Sequence, residues 1–145
     1  YFADRAQHLK EVIRPALDEG KYVICDRFTD STLAYQGYAR GIPRRLIRSL
    51  DRIMTGEYRP RFTVLLDLPV EDGLKRARGR NQRSKKGRSE GRFEKERLEF
   101  HTRVRRAYLQ MARREPDRYI VVAAEGKRRK IHEEIWKRLS PRMGI

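Results

Sequence analysis

Asp26-Arg27 closes a short apolar run, Tyr22-Val23-Ile24-Cys25, and Ser31, Thr32, Tyr35 and Gln36 follow closely. In open parallel sheets, ligands bind beyond the carboxyl ends of the strands. An acid and an arginine at such a place are therefore candidates for chemistry. If a helix starts just after them, Ser31, Thr32, Tyr35 and Gln36 recur at three- and four-residue spacing and share one face. That face offers two hydroxyls, an aromatic ring and an amide beside a guanidinium. Arginine grips phosphate through two parallel hydrogen bonds. An amide and hydroxyls can recognise the edge of a nucleobase. The combination suits a nucleoside monophosphate.

Tyr1 and Arg5 repeat the theme four residues apart, where a helix brings them onto one face. A ring and a guanidinium there can stack on a base and bond its carbonyl. Between Gly73 and Arg92 stand nine basic residues and one acid, Glu90, a net charge of +8 within a chain total of +16. A surface charged only for solubility would spread that excess. Gly79 to Gly91 contains no apolar residue, so it is expected to be a flexible basic connection of the kind that forms lids and binding loops. Lys127-Arg128-Arg129-Lys130 forms a second basic cluster, expected to be a solvated turn, with a contact near a nucleotide base as the alternative because it follows the last apolar run. His8, His101 and His132 show no metal-ligand spacing with one another.

These residues need elements to hold them. Tyr22–Cys25, Phe62–Leu66 and Tyr119–Ala123 are short runs rich in β-branched and aromatic residues. They are expected to be strands buried on both faces, as in a parallel sheet. Helical stripes lie between them. Phe2, Ala6, Leu9, Ile13, Ala16 and Leu17 form one, closed by Gly20 and bent or restarted at Pro15. Pro43 opens a second, with Leu46, Ile47, Leu50, Ile53 and Met54, and Gly56 stops it. Phe93, Phe100, Val104, Ala107 and Met111 form a third, and Ile131, Ile135 and Leu139 a fourth with Trp136 beside it. Alternating strands and helices imply an α/β fold with parallel strands.

With 145 residues the chain can bury one sizeable core. No apolar run approaches the ~20 residues of a membrane helix. Tyr1-Phe2-Ala3-Asp4-Arg5 lacks the basic flank and apolar stretch of a signal peptide. The single cysteine, Cys25, cannot form an internal disulfide and is expected in the core. A cytoplasmic protein fits these features. The charge of +16, with 36 Lys and Arg against 20 Asp and Glu, attracts polyanions such as nucleic acid, anionic lipid or nucleotides.

The stretches YFADRAQHL, VICDRFTDSTLAYQGYARGI, RPRFTVLLDLPVEDGLKRAR and RFEKERLEFHTRVRRAYLQMA resemble consecutive blocks of bacterial thymidylate kinases. They come in that family's order and cover nearly the whole chain. The resemblance implies a three-layer α/β fold of the P-loop-kinase kind, a parallel sheet flanked by helices and incomplete at the N-terminus. Residues 1–145 would form one nucleoside-monophosphate-kinase-like domain with a basic lid at about 76–92. The implied reaction is phosphoryl transfer from ATP to dTMP, giving dTDP for DNA synthesis, with Mg2+ as cofactor. A homodimer is implied, with no membrane and no nucleic-acid partner.

The resemblance also implies roles. Tyr1 matches the ring that stacks on thymine, and Arg5 the arginine that bonds a thymine carbonyl. Asp26 matches the acid beside the transferred phosphoryl group, organising Mg2+ indirectly. Arg27 matches the arginine on the dTMP phosphate. Ser31 lies on the same wall; Thr32 and Gln36 match positions facing the thymine edge, and Tyr35 the ring against the deoxyribose. Phe93 and Glu94 match the start of the helix after the lid, near sugar and phosphate. Arg76, Arg78, Arg80, Arg83, Arg88 and Arg92 belong to the lid, with Arg78 and Arg80 the catalytic candidates.

Three features depart from the family pattern. The phosphate-cradling Gly-x-x-x-x-Gly-Lys-Ser/Thr does not occur in the chain. Gly91 stands where an aspartate often precedes Arg-Phe-Glu, and Ala123-Ala124 replaces a frequent Asp-Ala. The chain therefore resembles the C-terminal two-thirds of such a kinase and is expected to be inactive and poorly stable alone. The competing function class is a basic nucleic-acid-binding module with a vestigial kinase face. Its support is the net charge; against it, aromatic residues do not interleave with the basic segment.

Overall fold

The computed structural model describes residues 1–83 and 98–145; for residues 78 and 80–83 it describes the backbone alone. Two compact units arise, Tyr1–Arg59 and Pro60–Ile145.

The first unit is helical. Helix α1, Phe2–His8, runs into a π-helical segment, Leu9–Ile13, and then α2, Arg14–Asp18. Pro15 lies in the first turn of α2. A proline has no N–H to donate, and its ring crowds the carbonyl four residues back. The wider turn just before it accommodates both, so the helix restarts rather than breaks. Gly20, at φ +75°, ends it in the left-handed region. Leu9 and Ile13 are the buried residues of this stripe, while Leu17 is exposed.

Tyr22–Cys25 forms no strand, contrary to the expectation from its composition. Strand structure needs a neighbour to complete its hydrogen-bond ladder. No described segment supplies one here. Tyr22 is 75% and Ile24 98% exposed, and Cys25 is exposed rather than in the core.

Helix α3, Thr29–Thr32, continues into a second π-helical segment, Leu33–Ala39, and Arg44–Thr55 forms α4 with Pro43 as its N-cap. Gly56, at φ +60°, ends α4. The π-helical segment and α1 both pack on α4. Ile47 is the centre of this small core, 2% exposed, with Ala34, Ala39, Thr32 and Thr55 also buried. Gly37 permits the close approach. A Cβ there would lie 3.1 Å from Ile47 Cδ1, 3.2 Å from Arg44 Cγ and 3.3 Å from Leu33 Cδ1.

The second unit carries the sheet. Strands β1, Thr63–Asp67, and β2, Tyr119–Ala123, pair in parallel with Thr63 opposite Tyr119 and Asp67 opposite Ala123. Arg118 pins the register: its Nη1 donates to Thr63 Oγ1 at 2.8 Å and its Nε to Glu115 Oε2 at 2.7 Å. Helix α5, Val70–Arg83, follows β1, with Glu71 and Asp72 favouring its positive N-terminal end. It extends past Gly79, so the front of the expected basic connection is helical through Arg83. Arginine and glutamine are good helix formers, which lets the helix continue there.

Helix α6, Leu98–Arg114, buries Phe100, Val104, Ala107, Met111 and Ala112 and packs against β2 and α5. Helix α7, Arg128–Met143, also packs on β2. Its Ile131, Ile135 and Leu139 are half-buried, and Trp136 is 51% exposed. Arginines of α7 cover the outer edge of β2. Arg138 Nη1 donates to Val121 O at 3.0 Å, and Arg142 Nη1 to Asp117 O at 3.2 Å. Among the described residues no helix is long and apolar enough to cross a membrane.

Candidate functional site

Arg5 is the hub of the first unit. Its Nη2 donates to Thr32 Oγ1 at 2.7 Å and to Phe28 O at 3.4 Å, and its Nη1 to Asp51 Oδ1 at 3.1 Å. The rings of Phe2 and Phe28 lie 5.8 and 5.4 Å from the guanidinium carbon, within cation–π reach. Three segments far apart in sequence thus converge on one side chain: α1, the start of α3, and α4. A guanidinium has five N–H donors. Two of them, Nε–H and one on Nη1, have no partner among the described residues.

Asp51 was not singled out from the sequence. It sits on α4 amid Leu50, Arg52 and Ile53, where nothing in its neighbourhood marks it. Only the contact across 46 residues reveals it. The pair is nearly buried, with side-chain exposures of 11% for Arg5 and 14% for Asp51. Burial pushes the Asp51 carboxyl above its ordinary value. Arg5 opposes that shift, the negative charge of Asp30 adds to it, and Arg59 opposes it in turn.

Thr32 is buried at 5% exposure and engaged by Arg5. Gln36 follows one turn on, in the π-helical segment. Its Oε1 is buried and has no hydrogen-bond partner among the described residues. A buried acceptor left unpaired costs about 1–3 kcal/mol, so such a group invites a donor. π-Helical turns occur frequently at functional sites.

Arg27 is exposed and has φ +62°, the one non-glycine residue with positive φ among those described. This left-handed conformation costs a bulky residue roughly 1–3 kcal/mol. Its guanidinium carbon lies 5.4 Å from the Tyr35 ring centroid. Asp26 beside it is exposed. Tyr1 is 74% exposed, its carbonyl accepting the Arg5 N–H in the first helical turn. Ser31 donates its backbone N–H to Phe28 O at 3.2 Å, part of the same entry turn.

A second set of charged groups occupies the carboxyl ends of β1 and β2; its Asp67 and Arg105 were not singled out from the sequence, whereas its Arg76 was, as a lid arginine. Arg105 grips Asp67 with two bonds, Nε to Oδ1 at 2.6 Å and Nη2 to Oδ2 at 2.8 Å. The Arg105 hydrogen bond holds the Asp67 carboxyl below its usual range. Arg76 Nη1 donates to Ala124 O at 2.9 Å, tying α5 to the end of β2. The side chains of Arg78, Arg80 and Arg83, and all of Arg88, Arg92, Phe93 and Glu94, lie outside the described residues.

Magnesium takes oxygen ligands and is commonly bound by one or two carboxylates with substrate phosphates and waters. Asp26 offers one exposed carboxylate of that kind. Among the described residues no cluster of three His, Cys, Asp or Glu side chains could hold a metal ion by itself. Such a donor fits the indirect role that the resemblance implies for Asp26.

In the second unit a parallel strand pair carries packed helices, which defines an α/β protein of the parallel-sheet class. The comparisons are more specific. The family model for thymidylate kinase matches residues 1–135. A thymidylate kinase of Syntrophotalea carbinolica is 53% identical over 136 residues, covering 94% of this chain and 62% of the relative. One from Desulfovibrio desulfuricans is 55% identical, covering 86% of this chain and 57% of the relative. The crystal structure of thymidylate kinase from Ehrlichia chaffeensis superposes with a TM-score of 0.71 at 30% identity, covering 97% of this chain and 61% of that one. The chain belongs to the thymidylate kinase family, and its fold is of the P-loop-kinase-like α/β class. It spans about 60% of the length of these relatives.

Proposed function

We propose that this chain supplies the dTMP-binding part of an enzyme that transfers a phosphoryl group from ATP to dTMP, giving dTDP. The observation that carries the reading is the Arg5 cluster. A nearly buried guanidinium keeps two donors for a ligand, and Gln36 keeps a buried acceptor. A thymine edge presents both carbonyl oxygens and an N–H, so it complements a donor and an acceptor together. Neither a solvated charged face nor a nucleic-acid surface needs such a pair.

In this reading Arg5 bonds a base carbonyl, Thr32 holds Arg5, and Gln36 meets the base edge. Tyr1 stacks on the base and Tyr35 packs on the deoxyribose, with Ser31 on the same wall. Arg27 grips the 5′-phosphate. Its left-handed backbone is the kind of strain that persists where a side chain must be aimed. Asp26 helps organise Mg2+ and the acceptor phosphate; the ion, when bound, neutralises charge between the phosphates. Phe93 and Glu94 border sugar and phosphate. The basic lid at about 76–92 supplies guanidinium groups, with Arg78 and Arg80 as catalytic candidates, to charge that develops in phosphoryl transfer. Residues 1–145 form one nucleoside-monophosphate-kinase-like domain in this scheme, in a cytoplasmic homodimer.

The test is titration of dTMP into wild type and Arg27→Gly. Glycine removes the guanidinium and the backbone strain together, so lost affinity is not confused with lost stability. Binding is expected to weaken by about 2 kcal/mol, with no fall in melting temperature. Equal affinity in the two proteins refutes the phosphate role of Arg27, and absence of saturable dTMP binding by wild type refutes the reading as a whole.

A further inference from the structure

Nη1 and Nη2 carry the hydrogen bonds of the Arg5 guanidinium, Nε–H and one Nη1–H have no partner among the described residues, and Asp51 is the only charged group bonded to it there. Thr32 Oγ1 and Phe28 O are neutral acceptors on the same nitrogen, Nη2. Without a second anchor the plane could pivot about that nitrogen. Asp51 supplies the anchor through Nη1, at 3.1 Å, from a different helix. Asp51 itself is fixed where α4 packs on α1, one turn before the buried Thr55, whose Oγ1 donates to Asp51 O at 2.8 Å. Phe2 and Phe28 confine the remaining freedom.

We propose that Asp51 is a positioning residue that fixes the orientation of the Arg5 guanidinium, and through it the preference for a pyrimidine presenting a carbonyl over one presenting an amino group. The proposal rests on the reading of this cluster as the dTMP site. The chemistry is direct. A guanidinium has donors and no acceptor, so a rigidly aimed one rewards a carbonyl and leaves an amino group facing N–H groups. A guanidinium free to turn away loses that discrimination. Asp51 also supplies the negative charge that lets Arg5 stand at 11% exposure without an uncompensated charge.

Two measurements on the 145-residue chain separate positioning from mere support. The first is the ratio of dTMP to dCMP affinity in wild type, Asp51→Ala and Asp51→Asn. Asp51→Ala is expected to lower the ratio by about tenfold, the size of one charge-assisted hydrogen bond. Its main effect falls on dTMP. Asp51→Asn keeps an oxygen acceptor at the same reach and is expected to restore much of the ratio. The second is NMR of the arginine side chain with 15N labelling. Restrained Arg5 Nε and Nη signals are expected in wild type and Asp51→Asn, and averaged ones in Asp51→Ala. A merely structural role lowers both affinities together and leaves the ratio unchanged, which overturns the proposal. Restrained Arg5 signals in Asp51→Ala overturn it as well. Failure of wild type to bind dTMP overturns the proposed function and the base-preference half with it, while the arginine signals decide positioning on their own. If Asp51→Ala does not fold, an unaltered ratio and unaltered arginine signals in Asp51→Glu, whose longer stem shifts the anchor, overturn it instead.

Discussion

Gly37→Ala sets two opposed effects against each other, and the structure decides between them. Alanine is the better helix former by about 1 kcal/mol, and Gly37 has no positive φ that would forbid it. From propensity alone the substitution stabilises. The new methyl, however, would meet Ile47 Cδ1 at 3.1 Å, Arg44 Cγ at 3.2 Å and Leu33 Cδ1 at 3.3 Å. Carbon atoms prefer separations of ~3.5–4.0 Å, so all three contacts are several tenths of an ångström too close. Arg44 is exposed and can swing away. Ile47 is 2% exposed and has nowhere to go. Overpacking of this kind costs about 1–3 kcal/mol, and the net expectation is destabilisation of up to roughly 2 kcal/mol once propensity is subtracted. Urea denaturation is the assay: the midpoint should fall with the slope unchanged. Ile47→Val removes the offending Cδ1 at a cost of ~0.5–1.5 kcal/mol by itself. Combined with Gly37→Ala, it should give a double variant more stable than the sum of the two single losses. A raised midpoint in Gly37→Ala, or strict additivity in the pair, would refute the argument from steric contact.

Two further outcomes follow from the second unit. Asp67→Asn should cost about 1 kcal/mol near neutral pH, a modest figure because Arg105 is 40% exposed and the bond is partly screened. The folded Asp67 pKa lies below its unfolded value, so the stabilisation is complete above the ordinary aspartate pKa of about 4. It disappears as pH falls through the lower folded value; a difference between wild type and variant that persists in strong acid would contradict the pairing. Arg138→Ala with Arg142→Ala uncovers the Val121 and Tyr119 carbonyls at the edge of β2. Light scattering should show faster aggregation, since an open strand edge recruits other chains, and an unchanged rate would mean that the guanidinium caps do not guard the edge.

Local patterns determined a good deal. The stripe Phe100, Val104, Ala107 and Met111 is buried as its spacing required, because a helix puts every third and fourth residue on one side. Pro43 and Gly56 bound α4 because one lacks an N–H and the other tolerates positive φ. Phe62–Leu66 and Tyr119–Ala123 mark both strands to within a residue. The residues around Arg27 and Gln36 stood out because a hydroxyl, an amide, a ring and a guanidinium at helical spacing are a set that solubility does not require. What depended on contact between distant segments was not legible. Tyr22–Cys25 has strand composition but no strand structure, since a ladder belongs to two segments and composition to one. The π-helical turns that carry Leu9–Ile13 and Leu33–Ala39 leave no mark in apolar spacing. Asp51 and Asp67 are unremarkable acids in sequence. Each finds its arginine 46 or 38 residues away, and an ion pair of that span exists only once the chain has folded to bring both ends together. The sequence by itself determined that a guanidinium, hydroxyls, a ring and an amide stand at helical spacing; the tertiary structure alone decided which carboxylate holds Arg5, because the direction of a guanidinium is set by the atoms that surround it.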